Sequence, residues 1–350
     1  MSESSAIGRA LTEAVVALRR EHSPVPIMAV TVLVFVLFAA LAPGRFPTAA
    51  NMNSIGFQVP ETALLGMGVM LSMVLGGIDL SVVAIADLSS VTMVQYFAFA
   101  GATHPGGRGL LIVAIGVVIA LAVGAVCGAL NGLIIGRLRV TAILATLATM
   151  EMFGGLAIAW TGGNTLPDVP AAILDIGNLS PGGVPLPAII FLGCALLVAL
   201  LLNGSRFGIR AILVGANPRA ASLSGIREPR VQLGIYTASG LLSAVAGIIF
   251  VGRTAGATPN YGAASYVLLA VVIAVLAGVD PLGGFGTVVG VALAAFVLEM
   301  IRSGFVALNL NQFLYEAAQG AILIVVLAAG SIAQGNVRWF ARLKRPLTHR

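Results

Sequence analysis

Long apolar runs, each near the length that crosses a lipid bilayer, follow one another through this chain and leave it few folds to adopt. Apolar residues make up 59% of the 350 positions and charged residues only 9%. A soluble domain carries about 25% charged residues, so this chain has too few to cover a water-facing surface. The runs are continuous, without the roughly ten-residue alternation of an outer-membrane barrel. The 43 glycines suit helices that approach one another closely in lipid. The expected class is an all-α integral membrane protein.

Ten spans are expected, at about 26–43, 56–76, 81–100, 109–135, 140–160, 185–203, 231–252, 263–279, 284–305 and 313–331. With the N-terminus inside, 15 of the 19 Lys and Arg fall on the cytoplasmic side. Only Arg45, Arg108, Arg253 and Arg302 remain for the outer side or its edge. Residues 56–100 must count as two passes. If they made one broken span, Arg137 and Arg139 would lie outside while the N-terminus lay inside. The expected organisation is a cytoplasmic segment at 1–25, one transmembrane domain at 26–331 and a basic cytoplasmic tail at 332–350. No cleavable signal peptide is evident, and the first apolar run reads as an uncleaved span. Residues 7–20 read as a weakly amphipathic interfacial helix. The net charge of +6 lies between and beyond the spans, where it sets topology, so it does not point to nucleic acid. Residues 161–184 form the longest outer segment and read as a lip for a partner or as a connector.

One loop stands apart. Residues 203–230 (coupling loop 204–230) carry five arginines and one acid, with Gly, Pro and Asn punctuation. Pro218 followed by RAASLSG reads as a short helix started by Pro and stopped by Gly. A cytoplasmic loop of this kind offers a grip to a soluble partner and is the expected entry point for energy.

Chemical constellations are poor. His22, His104 and His349 lie outside the spans and lack metal spacing. There is no P-loop and no nucleophile–base pair, so neither a catalytic site nor a bound metal or cofactor is expected. Cys127 and Cys194 sit in apolar runs without CxxC spacing and read as core filler. Val74–Asp79 (VLGGID) resembles Val275–Asp280 (VLAGVD), a faint repeat that places Asp79 and Asp280 at equivalent breaks. Each carboxylate, with Ser81 beside the first, suits a helix-end cap or contact with a solute. Glu299 and Arg302 are spaced to pair on one helix, while Glu61, Asp87, Glu151 and Glu316 have no partner visible in sequence. Gln232, Tyr236, Ser239 and Ser243 share one helix face, as do Thr146 and Thr149. Such groups line a wet path or join helices by hydrogen bonds. Thr141 and Glu151 point elsewhere on the threonine helix. Gly124, Gly128 and Gly132 form a GxxxGxxxG face for close packing within or between subunits.

GGIDLS (76–81), LNGLIIGRLRVTAILATLATM (130–150), TGGNTL (161–166), GANPRAASLSGI (215–226) and YTASGLLSAVAGII (236–249) together resemble the permease subunits of ribose-type bacterial ABC importers. The resemblance runs over about residues 50–330. It implies a ten-helix, multi-pass inner-membrane protein, paired with a second copy or a paralogue, with a pathway along the dimer axis. It further implies a periplasmic or lipid-anchored sugar-binding protein and a cytoplasmic ABC ATPase that holds the ATP and Mg. The coupling helix of that family maps here onto Asn217, Arg219, Ala220, Ala221, Gly225 and Ile226. Asp79, Ser81, Thr146, Thr149, Gln232, Tyr236, Ser239 and Ser243 are the candidates for the translocation path. The chain departs from many relatives at YVLLAVVIA (266–274), which lacks an acid after the tyrosine, at Ala277–Gly278 in place of a Gly pair, and at GGFGT (283–287). These changes suit a branch handling another monosaccharide, a polyol or a furanosyl signal of autoinducer-2 type. The competing classes are an ion-coupled secondary transporter, which would use titratable groups such as Asp79, Glu151 or Asp280, and a passive facilitator. The missing nucleotide site, the basic loop and the charge bias favour the importer.

Overall fold

A computed structural model describes residues 25–101, 109–260 and 263–333. Among these the chain is helical, its only extended pairing being an isolated antiparallel bridge between Leu166 and Ala257. The helices are α1 (Val25–Leu41), α2 (Ala49–Val74), α3 (Val82–Ala100), α4 (Gly109–Leu138), α5 (Ala142–Thr161), α6 (Ala171–Asn178), α7 (Leu186–Gly204), α8 (Arg206–Ala216), α9 (Pro218–Leu223), α10 (Glu228–Thr254), α11 (Ala263–Leu276), α12 (Val288–Ala307) and α13 (Gln312–Ala333). The interfacial helix expected at 7–20, the three histidines and the basic tail lie outside the described residues.

Seven of these helices, α2 to α5, α7, α10 and α12, are long and apolar enough to cross a membrane. The shorter apolar helices α1, α11 and α13 stand where the other three spans were expected. Two boundaries moved for local reasons. The second span starts at Ala49, not near 56, because Thr48 caps it by accepting from the Asn51 N–H at 3.2 Å. Asn51 is itself held by Ser303, whose hydroxyl donates to Asn51 Oδ1 at 2.7 Å. The ninth span starts at Val288, not 284, because Gly283 and Gly284 have positive φ and keep the chain out of the helix.

Helices α2 and α10 form the centre. Almost all of α2 from Val59 onward is buried, and α10 packs against α2, α3, α4 and α6. By contrast α4, α5 and α7 leave most of their residues exposed or only half-buried, at the rim. Lipid is as apolar as leucine, so burying leucine against leucine gives no hydrophobic gain there, and close approach of backbones must hold helices together. The α4–α10 seam shows this. A Cβ on Gly124 or Gly128 would overlap the carbonyl oxygen of Gly240 or Tyr236, and one on Gly240 would overlap the Gly124 carbonyl. The glycine face expected from sequence therefore packs within the chain.

Candidate functional site

The break between α2 and α3 carries a buried carboxylate. Asp79 has no solvent exposure, and a charge so placed needs donors. Its Oδ1 accepts from the Ser81 N–H at 3.0 Å and from the Ser81 hydroxyl at 2.6 Å. Its Oδ2 accepts from the Ser239 hydroxyl of α10 at 3.0 Å. The Asp79 N–H donates to the Ser72 hydroxyl of α2 at 2.9 Å. Asn131 of α4 donates to the Ser81 hydroxyl at 2.7 Å, and Thr149 of α5 donates to Asn131 Oδ1 at 2.7 Å. The donors run one way, from Thr149 through Asn131 and Ser81 to the carboxylate. On α5, the Thr146 hydroxyl lies 3.1 Å from the Ile78 carbonyl and accepts from the Leu80 N–H at 3.1 Å. One polar node thus ties α2, α4, α5 and α10 to the break. Its side chains are fully or nearly fully buried, so in this conformation the node is shut off from solvent.

Five of the eight path candidates (Asp79, Ser81, Thr146, Thr149 and Ser239) meet in this node. Ser243 is buried one turn further along α10 and donates to the Ser239 carbonyl at 3.0 Å. Tyr236 is buried beside the break, close enough that a Cβ on Gly77 would stand 3.0 Å from its hydroxyl. Gln232 is only half-buried and stands apart, donating to Glu228 on its own first turn at 2.9 Å. Asn131 is the member that helical periodicity missed. The available signal was a lone amide inside a 30-residue apolar helix, which must find a partner.

One contact recurs at the second break. Asp280 Oδ1 accepts from the Leu282 N–H at 2.9 Å, the same two-residue step as Asp79 to Ser81. The two breaks touch. The Gly284 N–H donates to the Val74 carbonyl at 2.9 Å, and a Cβ on Gly283 would lie 2.9 Å from the Gly76 nitrogen. Gly215 of α8 closes the joint. A methyl there would overlap the Val74 carbonyl oxygen and stand 2.7 Å from the Gly284 nitrogen.

Two residues past Gly215 begins the segment for which coupling was expected. Asn217 caps α9 by accepting from the Ala220 N–H at 3.0 Å, and Pro218 occupies the first turn. Gly225, at φ +77°, ends the segment, where the Ile226 N–H returns to the Ala221 carbonyl at 3.1 Å. Ala221 is buried against the protein, Ile226 is half-buried, and Asn217, Arg219, Ala220 and Gly225 are exposed. A cavity of about 260 Å³ opens beside α9, bordered by Phe207, Arg210, Ser224, Arg227 and Arg230. The short helix expected from Pro218 and Gly225 is therefore present, with an exposed basic surface around it.

A second buried charged group lies elsewhere in the fold. Arg253 of α10 pairs with Glu61 of α2, which supplies the partner that sequence did not reveal for Glu61. Glu299 and Arg302 of α12 approach to 3.8 Å, as their spacing predicts, and Arg302 also donates to the Tyr266 hydroxyl at 3.3 Å. Glu316 accepts from the Ser265 hydroxyl at 3.3 Å. Cys127 and Cys194 are free thiols. No cluster of three or more potential metal-ligating side chains occurs among the described residues.

Comparison with known proteins agrees with this architecture. The family described as branched-chain amino acid transport system / permease component matches residues 51–327. The autoinducer 2 import system permease protein LsrD of Salmonella typhimurium is 30% identical over 319 residues, covering 87% of this chain and 93% of that protein. The ribose import permease protein RbsC of Bacillus subtilis is 33% identical over 300 residues, covering 84% and 88%. LsrD of Escherichia coli O9:H4 is 30% identical over 326 residues, covering 90% and 94%. With its multi-pass apolar helices, its buried breaks and these matches over nearly all its length, the chain belongs to the permease family of ribose-type ABC sugar importers.

Proposed function

We propose that this chain forms one half of the membrane passage of an ATP-driven importer for a monosaccharide or related polyol in the bacterial inner membrane. In this reading the chain crosses the membrane ten times with both termini inside. It binds no cofactor of its own, and ATP and Mg sit on a separate cytoplasmic ATPase. A periplasmic or lipid-anchored binding protein delivers the solute near residues 161–184. The names of the relatives point to ribose or autoinducer-2, and both cargoes are polyhydroxylated. The family description also names branched-chain amino acids. We favour a sugar because the similar curated relatives at 30–33% identity carry ribose and autoinducer-2 in their names.

The observation that carries the mechanism is the joint at Gly215. The ATPase would grip α9 through the exposed Asn217, Arg219, Ala220 and Gly225, while the buried Ala221 and half-buried Ile226 seat the segment on the chain itself. A shift of α9 moves Gly215, and Gly215 has no slack against Val74 and Gly284. Both breaks must follow. The first break holds Asp79, so the displacement reaches the node and through Thr146 and Thr149 reaches α5. ATP binding thus drives a two-state rearrangement by moving packed elements that cannot deform gradually. The path candidates of the node are closed in the conformation described, and they reach solute only as the node opens.

The experiment is to replace the exposed Ala220 or Gly225 with Trp in the assembled importer. ATPase co-purification and uptake are expected to fall to background while the chain still inserts in the membrane. Normal uptake in either variant, or gradient-driven accumulation by the chain without an ATPase, overturns the reading.

A further inference from the structure

Three guanidinium groups border one cavity and find no acid there. Arg210 of α8, with Arg227 and Arg230 at the start of α10, lines the space of about 260 Å³ beside α9. Among the described residues none of the three makes a hydrogen bond or an ion pair. Their neighbour in sequence, Glu228, does not line the cavity, and its Oε1 accepts from Gln232. Like charges gathered around one space repel each other, and an anion placed between them removes that cost.

Depth selects the kind of anion. Helix α7 has 19 residues, and at about 1.5 Å each it covers roughly 28 Å, close to the hydrocarbon thickness, so Gly204 stands near the edge of that layer. Helix α8 starts there and stays against α7, for a Cβ on Gly208 would overlap the Leu201 and Leu202 carbonyl oxygens. Arg210 is thus one turn from a span end, and Arg227 and Arg230 flank the start of another span. Phe207 joins the two, its ring set against Gly234 of α10. The outer face of α8 agrees with this depth. Arg206, Ile209, Arg210 and Leu213 are exposed at i, i+3, i+4 and i+7, while Gly208, Ala211 and Gly215 are buried on the other side. Arginine beside exposed aliphatic side chains, on a short helix at a span end, suits the level where acyl chains meet phosphates. Arg219 and Ala220, on the exposed part of α9, do not border the cavity.

We infer that this cavity binds the phosphate of an anionic phospholipid, with Arg210, Arg227 and Arg230 as donors and Ile209 and Leu213 beside the acyl chains. The planar guanidinium fork matches phosphate oxygens in pairs, which a surface lysine cannot do. The bound lipid ties the first half of α8 to the start of α10, while the far end of α8 carries Gly215 into the joint. That the leaflet is the cytoplasmic one rests on the importer reading; the binding itself does not.

The test is native mass spectrometry of the full-length chain, with and without its ATPase, released from nanodiscs of mixed phosphatidylglycerol and phosphatidylcholine. Phosphatidylglycerol is expected to stay bound and phosphatidylcholine to leave. R210Q and R230Q are each expected to weaken retention roughly fivefold, and the triple variant with R227Q roughly a hundredfold. R219Q, outside the cavity, is expected to retain the lipid as the parent does. Melting temperatures of the single variants check that each still folds. Parent-like retention in both R210Q and R230Q, or equal retention of the two lipids by the parent, overturns the inference. Displacement of phosphatidylglycerol by inorganic phosphate at equal concentration assigns the cavity to a free anion and overturns the lipid. Loss of ATPase co-purification in R210Q with lipid retention unchanged assigns the arginines to the ATPase and overturns it too. A parent importer that accumulates no sugar with ATP would instead reject the functional reading, and the retention measurements would still decide what the cavity holds.

Discussion

The Ser239 hydroxyl donates to Asp79 Oδ2 at 3.0 Å, joining α10 to a chain break 160 positions away. Both residues are fully buried, so neither can exchange this bond for one to water. Ser239→Ala removes one of three donors and is expected to cost about 1–3 kcal/mol. Asp79→Ala strands the Ser81 and Ser239 hydroxyls together and should cost more. Thermal unfolding of the two variants in detergent checks the order; wild-type stability in both would show that the node adds nothing to the fold's stability.

Gly215 makes a sharper case. Gly215→Ala forces a methyl onto the Val74 carbonyl, so α8 must leave the joint or the joint must open. Overpacking of this kind typically costs 1–3 kcal/mol. Gly193→Ala, on the exposed side of α7 with nothing within 4 Å of the new carbon, is expected to be neutral or stabilising by up to about 1 kcal/mol. Melting temperatures and ATP-driven uptake measured side by side test the contrast, with uptake lost only in Gly215→Ala.

The Glu61–Arg253 pair should respond unequally to loss of either partner. The Glu61 side chain is 2% exposed and that of Arg253 21%. Arg253→Met leaves a buried carboxylate without its cation and is expected to cost about 3–5 kcal/mol. Glu61→Gln leaves a guanidinium that can swing toward water and should cost less. A double variant less damaged than Arg253→Met alone would establish the coupling; simple additivity would refute it.

Asn131→Leu keeps the approximate size of the side chain while deleting both of its bonds. Helix α5 then keeps Thr146 but loses the Thr149 link to α4. A loss of about 1–3 kcal/mol is expected. Faster exchange of the backbone amides of α5, read by hydrogen–deuterium exchange, localises the effect; uniform loosening of the whole chain would argue against a link specific to α5.

The parts legible in the sequence were those set by local physics. Apolar runs located the apolar helices, and Pro218 and Gly225 bracketed α9, because hydropathy and backbone stereochemistry act over a few residues. The pairing of Glu299 with Arg302 was visible for the same reason, as both lie on one helix. What stayed hidden was how distant segments meet. Nothing local says that Arg253 answers Glu61, or that Asn131 bridges Thr149 and Ser81, since those partners are set by how helices rotate against each other. The polar stripe on α10 illustrates the limit: periodicity put Gln232 in line with Ser239, and the neighbours sent only Ser239 to Asp79. Helix ends shifted where a cap or a left-handed glycine outweighed hydropathy, as at Thr48 and Gly283.

Along the contact between α4 and α10, the carbonyls of one helix occupy the space where a side chain of the other would start. Mutational drift there has nowhere to go. A randomised-codon library at Gly124, Gly128 and Gly240 should return glycine almost alone among survivors, even where volume is offset at a neighbouring position, because main-chain atoms cannot shrink. These two helices therefore travel as a single rod, and whatever movement the passage requires has to happen around them.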